Sequence, residues 1–336
     1  MFSELKYYKE EMRKIFGAKY SLSAIIGESQ AISEVKEMVK IVAPLNNPVL
    51  IYGETGTGKE LFAHAIHQES SRREGPFIRV NCAGIPDNLL ESELFGYEEG
   101  AFTGARKGGK PGKFELANNG SILLDEVSEL SWMAQAKLLR ALQENEIERV
   151  GSTEIIPVNV RVISATNVPL NELVTQGKFR KDLFFRLNAF NLKIPPLSER
   201  IEDIPLLCQH FIDNYNRENG GKVEHLNDEA LKLLADYHWP GNIRELNIVI
   251  ERACTDARKG IITVDNLLRF SNESTRRKTE EYSGFDIKEA KREAEKATII
   301  RALKASNGNR TRAAQLLGIS RSSLYNKMEQ LNMEII

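Results

Sequence analysis

Gly53–Glu60, GETGTGKE, has the composition and spacing for phosphate chemistry. Gly53, Gly56 and Gly58 let the backbone turn so that its N–H groups converge on phosphate oxygens, while Lys59 sets a positive charge near the β- and γ-phosphates. Gly53, Glu54, Thr55, Gly56, Thr57, Gly58, Lys59 and Glu60 are therefore expected to hold a nucleotide. An ordinary Gly-rich turn can share this composition. The apolar run Val49–Tyr52 in front and Leu61–Ile66 behind supply the strand and helix that a phosphate loop requires. The positive end of that helix faces the same anion. Glu60 stands where a Ser or Thr hydroxyl ordinarily ligates Mg2+.

Asp125 and Glu126 close the apolar run Ile122–Leu124. Alone, such a pair is a solvated strand end. Behind a phosphate loop, Asp125 holds or orients Mg2+ and its water shell, the more so because Glu60 offers no hydroxyl, and Glu126 is the candidate base for an attacking water. Thr166 and Asn167 end another strand at its carboxyl edge, which faces the ligand crevice of a parallel sheet. Asn167 is placed to sense a γ-phosphate and Asn81 to hydrogen-bond Glu126; turn capping is the alternative for each. Arg180 and Arg186, in FRKDLFFRLN, either decorate a surface helix or reach the γ-phosphate of a neighbouring subunit as arginine fingers. In WPGNIREL, Asn242 and Glu245 suggest a capping box, which puts Arg244 in the first helical turn, free to swing toward a phosphate.

The elements that must carry these residues alternate between strand and helix. With 336 residues the chain should hold two or more domains. Its net charge of -1 names no partner. Cys82, Cys208 and Cys254 are far apart and lack Cys-x-x-Cys spacing, which argues against a disulfide framework or zinc site and fits a reducing compartment. No apolar run approaches about 18 residues and no signal-peptide pattern follows Met1, so a cytoplasmic protein without membrane contact is expected.

Residues 1–20 form an amphipathic helix with Leu5, Tyr8, Met12 and Ile15 on one side, packed on its own domain or on a second copy. A sensory domain does not fit there, so regulation comes in trans or an N-terminal part lies elsewhere. Over 21–195, helices at Ser29–Val42 and Lys59–Glu69 alternate with strands at Val49–Tyr52, Phe77–Asn81, Ser121–Glu126, Val158–Ile163 and Phe190–Ile194. That pattern is an α/β fold with a mostly parallel sheet covered on both faces. Residues 196–270 read as a small α-helical lid, with Asp203 capping a helix whose first turn contains Pro205 and Asn227 capping the next. Residues 271–288 are a polar linker.

Residues 289–336 begin with a helix running to Ala305. A helix-turn-helix follows, with Ala313, Ala314, Leu316 and Leu317 before the Gly318-Ile319 turn, Ser320 as cap, and Leu324, Met328 and Leu331 facing inward. Residues 288–336 hold ten Lys or Arg against five Asp or Glu, net +5, and the rest of the chain is -6. Arg310, Arg312, Arg321 and Lys327 could meet phosphates, while Arg321, Ser322, Ser323 and Asn326, with Tyr325 among them, lie where a recognition helix meets DNA base edges. The alternative is a three-helix oligomerisation knob.

Between the second strand and Asp125 lies a segment that hydrolysis does not need. At its tip Gly100, Ala101, Phe102, Thr103, Gly104 and Ala105 set one aromatic among small residues, useful as an exposed contact unless the loop folds back on its own domain. Here the chain closely resembles the bacterial enhancer-binding proteins, the NtrC-like AAA+ activators of sigma-54 RNA polymerase, over residues 21–336. GAFTGA is intact at 100–105, with ELFG at 93–96, and GETGTGKE, LLDE, ATN, FRKDLFFRLN, WPGNIREL and a Fis-like helix-turn-helix follow the family's order.

The resemblance implies an α/β P-loop AAA+ ATPase with an α-helical lid and a separate all-α helix-turn-helix domain. It implies Walker A at Gly53–Glu60, with Glu60 ordinary for the family, and Walker B at Asp125 and Glu126. Asn81 matches the switch residue that restrains Glu126, Thr166 and Asn167 match sensor I, and Arg244 matches sensor II. Arg180 and Arg186 match the trans arginine fingers, and Lys59 joins them in the catalytic set. Ile26 is counted with the nucleotide site. Gly100–Ala105 matches the loop that grips sigma-54 when ATP is bound, assisted by a second loop at Glu146–Ser152. ATP and Mg2+ are the implied cofactors. Sigma-54 holoenzyme, double-stranded enhancer DNA and further copies of the chain, from a dimer to a hexameric ring, are the implied partners. Two other readings compete: a DNA-binding regulator that takes nucleotide only as a ligand, opposed by Glu126 with an intact GAFTGA, and an ATP-driven remodeller of another target, opposed by the Phe102-Thr103 tip.

Overall fold

A computed structural model describes residues 17–102, 104–268, 298, 299, 302, 306 and 309–330. Contacts divide the chain into two compact units, 1–267 and 268–336. In the first, five parallel strands, β1 (Val49–Tyr52), β2 (Phe77–Asn81), β3 (Ser121–Asp125), β4 (Arg161–Thr166) and β5 (Phe190–Lys193), form one sheet in the order β2-β3-β4-β1-β5.

Successive side chains of a strand point to opposite faces, so an unbroken apolar run needs cover on both. Val49 and Ile51 of β1 and Leu123 of β3 join Val35, Val39, Phe62 and Ile66 from the helices Gln30–Val42 and Lys59–Gln68. Leu50, Ile122 and Leu124 join Leu138 from the helix Trp132–Gln143 and Leu183 from Lys181–Leu187 on the other face. Ser29 caps its helix, accepting from Ile32 N–H at 3.3 Å.

The fourth strand begins later than the alternation at Val158, Val160 and Val162 suggests. Pairing with β3 starts where Ser121 meets Arg161. Upstream, Val158 N–H and the Asn159 carbonyl bond to Asn145 and Asn119. The amphipathic helix expected over 1–20 lies mostly outside the described residues, and its last residues are not helical. Lys19 N–H donates to His64 Nδ1 at 2.9 Å, and the Ala18 carbonyl accepts from Gln68 Nε2 at 2.6 Å.

The helical part of this unit is built from Ile204–Asn219, Asp228–Ala235 and Asn242–Ala257 around Leu207, Cys208, Ile212, Leu246, Ile250 and Cys254. Burial pushes the Cys208 thiol up to about 12 and Cys254 to about 11. Asn227 caps as expected, accepting from Ala230 N–H at 2.9 Å. Asp203 occupies a cap position without bonding its own helix. Its carboxylate accepts from Glu28 N–H at 2.7 Å, Ser29 N–H at 2.8 Å and the Ser29 hydroxyl at 2.7 Å.

In the second unit, helices Arg310–Leu316 and Arg321–Gln330 flank a turn with Gly318 at φ +68°. Ile299, Ala302, Ala313, Ala314, Leu324 and Met328 make its core. Ser320 Oγ accepts from Ser323 N–H at 3.1 Å, which is the expected cap. The linker at 271–288, Leu331 and most of the helix preceding Ala305 lie outside the described residues.

Candidate nucleotide site and loop

β1 delivers the chain into the phosphate loop, and Gly53 N–H is held by Thr166 O of the neighbouring β4 at 3.2 Å. Gly58, at φ +96°, turns the chain into the helix Lys59–Gln68. Lys59 is almost fully buried, and its Nζ donates to Gly53 O at 2.9 Å and Glu54 O at 3.2 Å. Burial lowers its pKa, while the nearby Glu126 and Asp125 charges work against that shift. The Thr57 hydroxyl donates to Glu54 O at 2.8 Å. Glu60 is tied sideways to the next strand: its carboxylate accepts from Arg79 Nη1 at 2.7 Å.

Asp125 ends β3 beside this loop. Burial raises its pKa, opposed by the charge of Lys59. Glu126, in the left-handed region at φ +52°, likewise has its carboxyl raised by burial, opposed by the charge of Lys59. A bulky residue at positive φ is a strained conformation of the sort that clusters at functional sites. Asn167 joins the two motifs: its Nδ2 donates to Thr55 Oγ1 at 3.1 Å, and its backbone N–H works to lower the pKa of the Glu126 carboxylate. Thr166 is buried, with its hydroxyl on Val168 O at 3.0 Å. Asn81 takes the turn-capping alternative, Oδ1 accepting from Gly84 N–H at 3.1 Å, because its strand ends one residue before a tight turn.

The helical part closes on the loop from the other side. Ile26 packs against its core, and an added Cβ on Gly27 would lie 2.7 Å from Asp203 Oδ2. Arg244 sits in the first turn of Asn242–Ala257, its charge reaching Lys59 and Asp125. The expected capping box is only half present. Glu245 Oε2 accepts from Gly241 N–H at 2.8 Å, but Asn242 is inside the helix at φ +51° and fully buried. Its Oδ1 accepts from Leu197 N–H at 2.7 Å, and its Nδ2 donates to Glu54 Oε2 at 3.0 Å and Thr55 O at 3.1 Å. Arg200, also buried, donates from Nη2 to Thr57 O at 3.2 Å. Sequence reasoning missed Asn242 and Arg200 as parts of this site; an Asn after Pro-Gly and an Arg in a charged run look like cap and surface.

Arg180 precedes the helix Lys181–Leu187, paired with Asp182 at 2.8 Å and lying over the Trp132 ring, while Arg186 is exposed in its last turn. The hydrogen bonds and ion pair of the Arg180 side chain go to Asp182, and its backbone N–H donates to Gln135 Oε1 at 2.8 Å. At Gly100–Ala105, Gly100 and Gly104 have φ of +82° and +101°, and nothing lies within 4 Å of a Cβ built on either. Phe102, 39% exposed, meets Tyr97 edge-on at 5.0 Å. Thr103 lies outside the described residues. The Glu146–Ser152 segment backs this loop: Glu98 N–H donates to Val150 O, and Arg149 pairs with Glu98 at 2.8 Å and Glu115 at 2.7 Å.

In the second unit Arg312, Arg321, Ser322 and Ser323 are exposed, and Arg310 and Lys327 half-buried. Arg310 and Arg321 lie over the Tyr325 ring at 5.3 and 5.8 Å, and the hydrogen bond from Arg310 lowers its phenol pKa. Asn326 lies on the same helix; its side chain is outside the described residues.

A parallel sheet with a phosphate loop after β1, paired carboxylates after β3 and a helical lid on the loop defines an AAA+ ATPase. The Sigma-54 interaction domain family matches residues 25–193, the AAA+ ATPase lid domain 198–283, and the Fis family of bacterial regulatory proteins 291–331. The chain belongs to the sigma-54-dependent transcriptional activators, with an ATP-binding AAA+ domain and a DNA-binding helix-turn-helix.

It is 43% identical to the regulatory protein AtoC of Escherichia coli K12, over 98% of this chain and 73% of AtoC. It is 45% identical to the nitrogen fixation protein AnfA of Azotobacter vinelandii, over 93% of this chain and 58% of AnfA. The chain thus spans little more than half of some relatives. Among solved structures, NtrX from Brucella abortus in complex with ADP superposes with a TM-score of 0.71 at 33% identity, over 98% of this chain and 73% of that one. Among the described residues no helix is long and apolar enough to cross a membrane.

Proposed function

We propose that this chain hydrolyses ATP at Gly53–Glu60 to remodel the closed complex of sigma-54 RNA polymerase through Gly100–Ala105, driving promoter opening while residues 289–336 hold enhancer DNA. The observation that carries the hydrolytic part is Asn167, whose side chain bonds the phosphate loop at Thr55 and whose backbone N–H acts on the base candidate Glu126. A single residue in contact with both motifs can report the nucleotide's state to the base.

Lys59 would exchange its loop carbonyls for phosphate oxygens, and Ile26 and Arg244 would line the nucleotide from the lid side. Glu126, with its carboxyl raised by burial, is a better proton acceptor for a water than a solvated carboxylate. The donor set suits Mg2+: two half-buried carboxylates stand at the loop with Lys59 as their opposing charge, and Glu60 is engaged by Arg79. Asp125 would hold the ion together with the phosphates and water. Bound there, Mg2+ would neutralise charge developing on the phosphates.

Arg180 and Arg186 would act on a neighbouring copy's nucleotide, which requires an assembly, from a dimer to a hexameric ring. Phe185, 63% exposed next to Arg186, is apolar surface that such a neighbour would cover. Asn81 would release its turn to restrain Glu126. Arg310, Arg312, Arg321, Ser322, Ser323, Tyr325, Asn326 and Lys327 would meet the DNA, and the protein would work in the cytoplasm.

The test is promoter opening by sigma-54 polymerase with ATP. Phe102→Ala should abolish opening and keep ATP hydrolysis, and Glu126→Gln should abolish both. Undiminished opening by Glu126→Gln would remove the hydrolysis claim; equal opening with another sigma factor would remove the partner.

A further inference from the structure

We infer that Asn242 and Arg200 of the lid are positioning residues that aim the phosphate loop's N–H groups at the nucleotide. The inference rests on the reading of Gly53–Glu60 as the nucleotide's phosphate site. Three successive loop carbonyls accept from the helical part of the unit: Thr55 O from Asn242 Nδ2 at 3.1 Å, Gly56 O from Arg244 N–H at 3.3 Å and Thr57 O from Arg200 Nη2 at 3.2 Å.

In a trans peptide the carbonyl and the next N–H point in opposite directions across one rigid plane. A donor that fixes a carbonyl therefore fixes the following N–H as well. Asn242 sets the Gly56 N–H in this way and Arg200 the Gly58 N–H, while the Thr57 N–H closes the loop on Glu54 O at 3.4 Å. A polyphosphate is bound by such converging backbone donors, and donors aimed before binding need no reorganisation.

The surroundings show that these contacts are built in. Asn242 is fully buried in a left-handed conformation, and its amide ties its own helix to Leu197 and to the loop at Glu54 and Thr55. The lid and loop meet backbone to backbone, since a Cβ on Gly56 would lie 2.2 Å from Gly241 O. Arg200 is buried too; burial lowers its pKa, and the charge of Asp203, whose carboxylate clasps Glu28 and Ser29, works against that shift. The phosphate loop, the Ile26–Ser29 segment and the lid are thereby joined through Arg200 and Asp203.

Equilibrium binding of a fluorescent ADP analogue to the full chain, displaced by ADP and separately by adenosine, tests this without polymerase or DNA. Asn242→Asp keeps the acceptor for Leu197 N–H and loses the donor to Thr55; Asn242→Gly keeps the positive φ and loses the side chain. Each should weaken ADP about tenfold, in line with losing one well-placed hydrogen bond and disturbing its neighbour, and leave adenosine within about twofold. Arg200→Lys should act in the same direction. Adding Glu54→Gln to Asn242→Asp should recover part of the loss, because the new amide can donate to the new carboxylate. ADP binding within about twofold of wild type in the folded Asn242 variants, or equal losses of ADP and adenosine, would overturn the inference. A wild-type chain that bound no ADP would instead remove the phosphate-site reading.

Discussion

The chain contains two glycine-hinged loops with opposite surroundings. At the phosphate loop, Gly56 lies against Gly241, Asn242 and Arg200 bond neighbouring carbonyls, and Lys59 bonds two more. At Gly100–Ala105, the glycines at positive φ face open space and the described aromatic contact is Phe102 on Tyr97. The same residue type serves opposite needs. In the first loop glycine admits another backbone into contact, and in the second it permits turns closed by the loop's own backbone bonds, Ala101 N–H to Glu98 O and Ala105 N–H to Phe102 O. A loop that binds phosphate gains from being held before the ligand arrives, whereas a loop that must engage a partner gains from freedom to move.

The largest effect expected from this contrast is on rate. Glu126→Gln should lower ATP hydrolysis about 1,000-fold in a steady-state phosphate assay, since it removes the proton acceptor. The same variant should melt at a higher temperature near neutral pH. Burial raises the Glu126 carboxyl above its ordinary 4.5, so the folded state holds the proton more tightly than the unfolded one. Its stabilising contribution is present below that ordinary value and lost as pH rises through the raised one. Glutamine lacks this loss, and a wild-type melting profile flat from pH 4 to 7 would contradict it.

Gly56→Ala comes next, with about 3 kcal/mol of lost stability expected in urea unfolding, because a methyl group would collide with a backbone carbonyl and sit at positive φ. Gly104→Ala should lose about 1 kcal/mol or less, since only the φ preference opposes it and the loop can relax. Equal losses at the two glycines would erase the contrast. The last effect is absent at neutral pH and belongs to His64, whose pKa burial lowers from 6.5 to about 4. A group held neutral in this way contributes stability above 6.5 that is lost as pH falls toward 4. His64→Phe should shallow the acid limb of the unfolding curve, with wild-type slope retained if the ring does not titrate.

Much of the fold was legible because it rests on local signals. The limits of β1 and β2 match the strands expected at Val49–Tyr52 and Phe77–Asn81, and Ser29, Asn227 and Ser320 cap through bonds three residues long. The fourth strand was misplaced by three residues because alternation at Val158–Val162 gives a face but no starting point; the pairing of Ser121 with Arg161 sets that. Arg161 itself is buried, donating to Val42 O, Ala43 O and Asn47 O, an arginine consumed by the end of a distant helix. Asp203 and Asn242 carry good capping side chains whose better partners lie elsewhere, and burial makes leaving those partners unpaired more costly than forgoing a cap.

Residue types and spacing determined the phosphate loop, the paired carboxylates, the exposed Phe102 and the helix-turn-helix, since each needs only neighbours along the chain. Tertiary structure alone decided that Asn242 reaches Glu54, 188 positions away, and that Arg200 reaches Thr57. A hydrogen bond depends on the directions of two groups in space, and folding sets those directions when the lid closes on the sheet.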